Sequence, residues 1–442
     1  MQLSDIVYEV LRESRDDLLP LEVQDLIRNA CSYRSFLKLI REEQNQRGPS
    51  PEEILLIESA NNFRGFFQKY MSGAFGDRYS PPEEVWYEGV VRVRYEGMLD
   101  NIPVFLETLP YKQYQQGQIP KRIQHAIAAR THLLGTDMAY VVIMDQNTQG
   151  WNAWQLTGDF NVVGELALQD VGYLKSLAEG IADSMGIRTE CEACPYEQVC
   201  DVDNHMSSVQ SFPRVAYRTT HDSELIKELE KYLWGLNKKS TGRKTHVIHP
   251  SELTTSKCDR AIAYGLQGVA ERRSIEPGLR RIFDMGHAAH DLVQMAIKYH
   301  LGDEAILEAR CTHEHLKISG SCDIALEDDA VEIKTMSFKG HDKLNKQKPE
   351  HEDQDTIYAT ALEKDHLRFL YINKNSGVIK EFRKKVSRQR WHKLATRASR
   401  IVKAVGEGVL PEQIDKPYIC NKCKYAWHCK PEITGNNRKF RR

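Results

Sequence analysis

The feature that most constrains the fold is a cysteine pattern that occurs twice, each time as C-x2-C-x5-C. The six cysteines of the two copies are Cys191, Cys194, Cys200, Cys420, Cys423 and Cys429. The same offset relates all three pairs, and an aromatic residue follows the second cysteine by two positions in both copies (Tyr196 and Tyr425). Chance agreement of two such clusters is improbable, so an internal duplication is the leading explanation.

Other landmarks repeat at nearly the same offset as the cysteines. The matched pairs are Cys31 with Cys258, Asp100 with Asp323, Glu107 with Glu332, and Gln124 with Gln354. Loop insertions between fixed elements would produce the small spread among these offsets. We therefore predict two copies of one module, at residues 1–205 and 246–442, joined by a linker with one helix at residues 206–245.

Composition indicates a folded chain in a reducing compartment. Hydrophobic residues make up 41% of the 442 residues and charged residues 28%, which argues against a disordered or fibrous chain. No apolar run reaches the roughly 18 residues that span a bilayer, and the first residues lack the basic and apolar regions of a secretory signal. We expect a soluble, cytoplasmic protein whose ten cysteines serve as metal ligands or buried thiols.

The net charge of −1 conceals an asymmetry between the two halves. Residues 1–205 hold 18 basic and 31 acidic residues, whereas residues 206–442 hold 43 basic and 31 acidic ones, so the halves carry −13 and +12. The basic half is suited to contact the phosphates of nucleic acid. The acidic half is a candidate surface for a protein partner or for self-association.

Hydrophobic periodicity gives both copies the same order of elements: helix, strands, helix, strand, helix. In the first copy we predict helices at residues 6–27, 54–70, 123–134 and 166–185, and strands at 85–99, 102–109 and 138–145. In the second copy we predict helices at 261–266, 281–300, 354–362 and 389–406, and strands at 316–326, 330–335 and 367–373. This order predicts an α/β fold in which helices flank a mixed central sheet.

Candidate catalytic residues lie in the second copy, where Asp323 is followed by Glu332-Ile333-Lys334. Two carboxylates at the ends of adjacent strands can share a hard divalent cation such as Mg²⁺ or Mn²⁺. Residues i and i+2 share one face of a strand, so Lys334 would lie beside the Glu332 carboxylate. There it could orient an attacking water and stabilise negative charge in the transition state. The triplet alone is a weak signal, because most such triplets are solvated strand edges.

Three further motifs accompany the triplet. Gly286 begins a G-x-x-x-H run that ends at His290, with His287 as a competing imidazole. Gln354 and Tyr358 stand at i and i+4 on one helix face. Four cysteines bracket the set: Cys258, Cys420, Cys423 and Cys429. Taken in order, these motifs resemble a RecB-type PD-(D/E)XK exonuclease of the iron–sulfur branch, the group that contains AddB and the CRISPR adaptation nucleases. The resemblance covers residues 250–430.

The resemblance implies a role for each matching residue. Metal ligands for Mg²⁺ or Mn²⁺ would be His290, Asp323, Glu332 and the backbone carbonyl of Ile333. Lys334 would be the catalytic lysine, and Gln354 and Tyr358 would support the reacting phosphate. Cys258, Cys420, Cys423 and Cys429 would hold a structural 4Fe–4S cluster, although four thiolates at this spacing also fit zinc.

The first copy keeps its cysteines and loses catalytic positions. Leu109 replaces the lysine, Ala128 replaces the tyrosine, and Lys69 occupies the position of the histidine in a run matched at a similar offset. The cluster ligands would be Cys31, Cys191, Cys194 and Cys200. We therefore expect a restriction-endonuclease-like module that is catalytically dead but keeps its fold and a second four-cysteine cluster.

The function predicted from these residues is metal-dependent hydrolysis of DNA, as an exonuclease on ends or single strands. Members of the family process DNA ends in recombination, repair, replication or CRISPR adaptation. The alternative is a non-catalytic subunit that binds DNA ends or acts as a scaffold in a larger complex. A third interpretation is a regulatory protein stabilised by zinc. Its preparations would be colourless, whereas a 4Fe–4S protein is brown.

Overall fold

The fold is described from a computed structural model of the chain. The structure describes residues 2–13, 51–87, 91–109, 114–115, 117–145, 150–161, 163–165, 217–236, 245–271, 275–414, 416–421 and 423–429. Two compact units divide the chain. The central unit is Arg12–Leu233 with Pro277–Met285, and the carboxyl-terminal unit is Met1–Leu11, Trp234–Glu276 and Gly286–Arg442. Among the described residues, no helix is both long enough and apolar enough to cross a lipid bilayer.

Eight of the described strands belong to the central unit. In chain order they are β1 Tyr79–Ser80, β2 Val85–Tyr87, β3 Val91–Val93, β4 Met98–Leu99, β5 Ile102–Leu109, β6 Met138–Asp145, β7 Trp151–Thr157 and β8 Arg218–His221. A six-stranded sheet has the order β1-β4-β5-β6-β7-β8, and β2 pairs with β3. The β5–β6 pair is parallel and the other pairs of the large sheet are antiparallel. The described helices that accompany these strands are Pro51–Phe75, Lys121–Leu133 and Ser223–Leu236.

The carboxyl-terminal unit has a five-stranded sheet with the order β13-β12-β11-β10-β9. Its strands are β9 Ile306–His313, β10 Ile318–Ala325, β11 Asp329–Met336, β12 His366–Asn373 and β13 Ile379–Lys385. Strands β11 and β12 are parallel because the helix Pro349–Ala361 connects them as a crossover, and the other pairs are antiparallel. The helices from residue 250 onward are Pro250–Thr255, Asp259–Leu266, Pro277–Leu301, Phe338–Asp342, Pro349–Ala361, Arg388–Gly406, Pro417–Cys420 and Ala426–Cys429. The expected α/β class with helices flanking mixed sheets is confirmed.

The same sequence of elements occurs in both parts of the chain. Pro51–Phe75 and Pro277–Leu301 are both helices of 25 residues, and each is followed by one turn of 3₁₀ helix that starts at a glycine with positive φ. The strand series β1-β4-β5-β6-β7 and β9-β10-β11-β12-β13 have the same pattern of pair directions. Crossover helices of 13 residues connect the parallel strands in both. The duplication itself stays a prediction, which this repeated order supports.

Two strands of the carboxyl-terminal sheet had no clear sequence signal. Strands β9 and β13 lie at the two edges of the sheet; β9 carries two charged residues, Glu308 and Arg310, and most of β13 is charged. Charged side chains on edge strands discourage pairing with another chain, and they also blur the alternation by which strands are recognised. The crossover helix begins at Pro349, five residues before the predicted start, because a proline is tolerated in the first turn of a helix.

The amino-terminal helix Leu3–Glu13 groups with the carboxyl-terminal unit, although the sequence placed residues 1–205 in the first module. Both the backbone N–H and the hydroxyl of Ser4 donate to a carboxylate oxygen of Glu381, each over 3.0 Å. The Tyr8 hydroxyl accepts the backbone N–H of Ile379 over 2.7 Å. Sequence periodicity predicts a helix here, but it carries no information about which sheet the apolar face covers.

Candidate active site

Strands β10 and β11 form a hairpin that brings the two predicted carboxylates together. Ile324 pairs with Val331, and continuing this antiparallel register by one residue sets Asp323 opposite Glu332. The backbone N–H of Ile333 donates to the Asp323 Oδ2 atom over 2.7 Å. Residues that are well separated in sequence therefore become direct cross-strand neighbours.

Lys334 lies on the same face of β11 as Glu332, as the two-residue period of a strand requires. Its ammonium group pairs with the Glu332 Oε1 atom. The Glu332 side chain is 1% exposed, whereas 29% of the lysine side chain is accessible. Lys334 thus pairs with a buried carboxylate, while part of its own side chain stays accessible to an incoming molecule.

The crossover helix Pro349–Ala361 places two polar side chains over Glu332. The Gln354 amide donates to the Glu332 Oε1 atom over 2.7 Å and also to the Tyr358 hydroxyl over 3.1 Å. The i, i+4 spacing of Gln354 and Tyr358 sets both on one helix face, as the sequence indicated. The catalytic roles of these residues stay predictions, but the structure brings them to the carboxylate in question.

The histidine run of the helix Pro277–Leu301 reaches the same site. The His290 Nδ1 atom lies 3.7 Å from the Asp323 Oδ2 atom. Burial, together with the positive charge of Lys334, lowers the pKa of His290 to about 4, so the imidazole is neutral near pH 7. A neutral imidazole is the form that ligates metals. His287 is also close enough for its charge to lower the pKa of Asp323, so the two histidines remain alternatives.

Burial dominates the electrostatics of the carboxylates. It raises the pKa of Asp323 to about 6 and that of Glu332 to about 7, although the charge of Lys334 opposes the shift in both. The pKa of Lys334 is raised: its burial lowers the pKa, and the charges of Glu332 and Asp323 outweigh that effect. Strongly perturbed groups gathered in one place are typical of functional sites.

Asp355 is a third carboxylate at this site that sequence reasoning missed. The residue is fully buried, and burial followed by the charges of Glu332 and Asp323 raises its pKa well above the usual value. Within the described residues, neither carboxylate oxygen has a hydrogen-bond partner at normal distance. An interaction with the backbone N–H of Arg368 lowers the pKa, but burial outweighs it. The only sequence signal was that an aspartate directly follows Gln354, on a part of the helix where most residues are buried.

The donor chemistry of the site fits a hard divalent cation. Carboxylates and a neutral imidazole are suitable ligands, and the Glu332 Oε2 atom is buried without a hydrogen-bond partner among the described residues. In the arrangement that the structure describes, no three or more His, Cys, Asp or Glu side chains are placed to hold a metal ion. The positive charge paired with Glu332 there is the Lys334 ammonium group.

The second cysteine quartet converges on one pocket. The thiols that line it are Cys258, Cys420, Cys423 and Cys429. All four are free, and burial raises the pKa of Cys423. Lys424, which follows Cys423, connects this segment to the helix Pro250–Thr255, since its ammonium lies 2.6 Å from a carboxylate oxygen of Glu252. The quartet of the first copy, with Cys31, Cys191, Cys194 and Cys200, lies outside the described residues.

The central unit also contains buried carboxylates, and arginines neutralise two of them. The Arg130 guanidinium donates to the Glu107 Oε1 atom over 2.8 Å, and both side chains are almost inaccessible. Arg64 pairs with Glu96, which also accepts from the Gln68 amide over 3.3 Å. No lysine follows Glu107 at i+2, since that position is the buried Leu109.

The arginines lie at helix positions that, in the carboxyl-terminal unit, hold residues predicted to be functional. Counted from the first residue of the two long helices, Pro51–Phe75 and Pro277–Leu301, Arg64 occupies the same position as His290. Counted in the same way along the two crossover helices, Arg130 corresponds to Tyr358. Matching by motif had instead assigned Lys69 and Ala128 to these two positions, because it followed residue identity rather than position within an element.

Asp100 and Gln124, which the sequence matched to Asp323 and Gln354, do not reach Glu107. Asp100 lies in the exposed turn between β4 and β5 with a φ of 52°, and its carboxylate accepts from Arg78 over 3.0 Å. Glu107 lies near the far end of the extended strand β5, so most of that strand separates it from this turn. The Gln124 amide donates to the Ile119 carbonyl over 2.6 Å. The central unit therefore has Glu107 on β5 and a second buried carboxylate at Glu96, each paired with an arginine.

Comparisons with known proteins add little to this geometry. No protein-family model matches the chain, and no curated protein matches its sequence. Solved structures with partial similarity include an alkaline exonuclease from Laribacter hongkongensis (12% identity, TM-score 0.31, 40% of this chain and 93% of that one). The same exonuclease in complex with dAMP aligns with 11% identity and a TM-score of 0.31 over 46% of this chain and 99% of that one. The protein SSO0001 aligns with 16% identity and a TM-score of 0.29 over 47% and 96%. Similarity at this level carries no argument, so the function is argued from the site.

Proposed function

We propose that the chain is a metal-dependent deoxyribonuclease of the RecB-type PD-(D/E)XK class, iron–sulfur branch. The observation that carries the proposal is the convergence of Asp323, Glu332, Lys334 and Gln354 from two strands and a crossover helix. A buried carboxylate (Glu332) and a largely buried one (Asp323), beside one ammonium group and one neutral imidazole, are suited to phosphodiester hydrolysis. A solvated strand edge, the ordinary environment of an E-x-K triplet, would show none of this burial.

Each group at the site has a task in that reaction. The ligands for Mg²⁺ or Mn²⁺ would be His290, Asp323, Glu332 and the Ile333 carbonyl, and the ion would supply Lewis-acid activation of the phosphate and of water. Lys334 donates hydrogen bonds to the attacking water or to the phosphate oxygens, where its positive charge stabilises the transition state. Gln354 holds the Glu332 carboxylate in place, and Tyr358 extends this hydrogen-bonded chain.

The central unit is proposed as a degenerate copy of the same module. Two of its buried carboxylates, Glu107 and Glu96, are neutralised by Arg130 and Arg64, so neither of these two is left unpaired for a cation. The position of the catalytic lysine is apolar. This unit would keep the fold as a scaffold, and its acidic surface could receive a protein partner or a second copy of the chain.

The cysteine quartet at Cys258, Cys420, Cys423 and Cys429 is proposed to hold a 4Fe–4S cluster, with zinc as the alternative. The four thiols line one pocket, and the ligand that comes first in sequence precedes the other three by most of the carboxyl-terminal unit. A bound cluster would cross-link the two ends of the active module and restrict the unfolded chain. A second cluster in the central unit is proposed from its sequence motif alone.

Digestion of end-labelled DNA tests the proposal. Wild type, Lys334→Ala and the surface variant Lys403→Ala, whose side chain is 74% exposed, would be prepared without oxygen and incubated with single- and double-stranded DNA and Mn²⁺. We expect metal-dependent cleavage by wild type and Lys403→Ala, and a rate at least about 100-fold lower for Lys334→Ala, the cost of removing one preorganised transition-state donor. Cleavage by Lys334→Ala at the wild-type rate would refute the assignment. No cleavage by any folded variant would favour the non-catalytic DNA-binding alternative.

A further inference from the structure

An exposed aromatic ring lies directly after the strand that carries the catalytic triplet. Phe338 is 56% exposed and follows the last residue of β11 by two positions. Its backbone N–H donates to the Asn375 side-chain oxygen over 3.2 Å, which fixes the start of the short helix Phe338–Asp342. Burial of an aromatic ring's large area is stabilising, so this exposed and positioned ring has area available for contact with a ligand.

The backbone that presents this ring is firmly anchored to the sheet. The buried His341 imidazole bonds through its Nε2 atom to the Tyr371 carbonyl of β12 over 3.0 Å. The Lys380 ammonium group of β13 donates to three carbonyl oxygens, those of His341, Asp342 and Leu344, over 2.7, 3.1 and 3.0 Å. An ordered platform loses less conformational entropy when it binds a ligand than a mobile loop does.

The surface around the ring is basic. Residues 337–348 contain four lysines and a single acidic residue, Asp342. Lys339, Lys343 and Lys346 are exposed, and none of them forms an ion pair with another described residue. Lysines without acidic partners are available for phosphates, whereas those on an ordinary solvated face are commonly paired.

The ring is close to the proposed reaction centre along the strand. Phe338 follows Lys334 by four positions, and four extended residues span at most about 14 Å. Stacked nucleotides rise about 3.4 Å each along one strand, so this distance corresponds to about four nucleotides. An aromatic ring with flanking lysines at such a distance matches the combination by which proteins hold single-stranded nucleic acid.

We propose that Phe338, flanked by Lys339, Lys343 and Lys346, is a stacking platform for an unpaired base of single-stranded DNA beside the active site. The inference rests on the proposed nuclease function and narrows its substrate to a strand with free base faces. Bases within a duplex are already stacked on their neighbours, so they cannot cover the ring. The platform accepts any base, because every base offers a π-face, and it therefore carries no sequence preference.

The test measures binding by the full-length protein in EDTA, where cleavage does not proceed. The anisotropy of a fluorescent oligothymidine would be recorded with wild type, Phe338→Ala, Phe338→Leu and Phe338→Trp. We expect Phe338→Ala and Phe338→Leu to bind about 5- to 100-fold more weakly, and Phe338→Trp to bind like wild type with quenched indole fluorescence. The leucine variant keeps apolar bulk, so its loss of affinity reports the missing π-face.

Ile306→Ala provides the matched control. Ile306 is 58% exposed at the start of β9, between Glu304 and Glu308, and its truncation is expected to leave binding unchanged. Affinity for a blunt duplex should be equal in all variants. Wild-type binding by Phe338→Leu, or equal losses for single strand and duplex, would overturn the platform. The experiment needs no catalysis, so absence of cleavage by the folded wild type would refute the nuclease function and leave this binding result standing.

Discussion

Glu332 and Glu107 are buried carboxylates on corresponding strands, yet their partners differ. Glu107 faces the guanidinium of Arg130, a fixed positive charge that is itself 2% exposed. Glu332 receives a neutral amide from Gln354 and the partly exposed ammonium of Lys334, and its Oε2 atom has no hydrogen bond within the described residues. The first arrangement satisfies the carboxylate permanently. The second leaves it able to accept a further ligand.

This difference separates a structural carboxylate from a functional one. Desolvation of an ionised carboxylate is expensive unless a partner compensates for it. In the carboxyl-terminal unit the cost is visible as the raised pKa values of Asp323 and Glu332. Proteins retain such unfavourable groups at functional sites, where the binding of a ligand recovers the free energy.

The largest stability effect is expected in the central unit. Arg130→Ala would leave Glu107 as an uncompensated buried charge and lower the free energy of unfolding by about 3–5 kcal/mol. The double variant Arg130→Met with Glu107→Leu removes both charges and should be close to wild type. Chemical denaturation of the full chain measures both. A single variant as stable as wild type would mean that this ion pair does not support the unit.

The pH dependence of stability distinguishes the two sites next. The pKa of Glu332 is raised to about 7 from its ordinary value of 4.5, so the folded state holds more protons than the unfolded state between these values. Its contribution to stability is therefore present below pH 4.5 and is lost as the pH rises through 7. His290 acts in the opposite direction below pH 6.5, so the comparison is made between wild type and Glu332→Gln.

In EDTA, wild type should lose stability relative to Glu332→Gln by about 2 kcal/mol between about pH 5 and pH 8. Denaturant titrations at several pH values provide the measurement. Glu107→Gln serves as the control in the central unit and should not show the same trend. A difference between wild type and Glu332→Gln that stays constant across this range would contradict the raised pKa.

The smallest effect concerns binding of the divalent cation. Mn²⁺ at about ten times its dissociation constant would stabilise the folded protein by about 1.4 kcal/mol, which corresponds to an increase of about 2 °C in Tm. Asp323→Asn should abolish the increase, because a ligand is lost. Glu96→Gln should retain it, since Glu96 is already paired with Arg64. An increase that survives in Asp323→Asn would place the cation elsewhere.

The sequence predicted those parts of the site that depend on short-range geometry. The i, i+2 period places Lys334 beside Glu332, and the i, i+4 period places Tyr358 with Gln354. Asp355 was missed because a buried carboxylate has no sequence pattern of its own. The exposure of Phe338 depends on tertiary packing, so periodicity could not reveal it.

The sequence was less informative about the central unit. Alignment by residue identity matched Asp100 and Gln124 to catalytic positions, although one lies in a turn and the other bonds to a nearby carbonyl. Equivalent positions are found by counting residues from the start of each helix, and those starts are known only from the structure. Arg64 and Arg130 differ in type from His290 and Tyr358, so the sequence contains no motif that would match them.

The most direct test of the account makes the same substitution in each unit. Glu332→Gln and Glu107→Gln would be compared with wild type for Mn²⁺-dependent cleavage of labelled single-stranded DNA, after circular dichroism has established that all three are folded. We predict that Glu332→Gln loses cleavage and that Glu107→Gln keeps the wild-type rate. Cleavage retained by Glu332→Gln, or lost in a folded Glu107→Gln, would contradict the assignment of catalysis to the carboxyl-terminal unit.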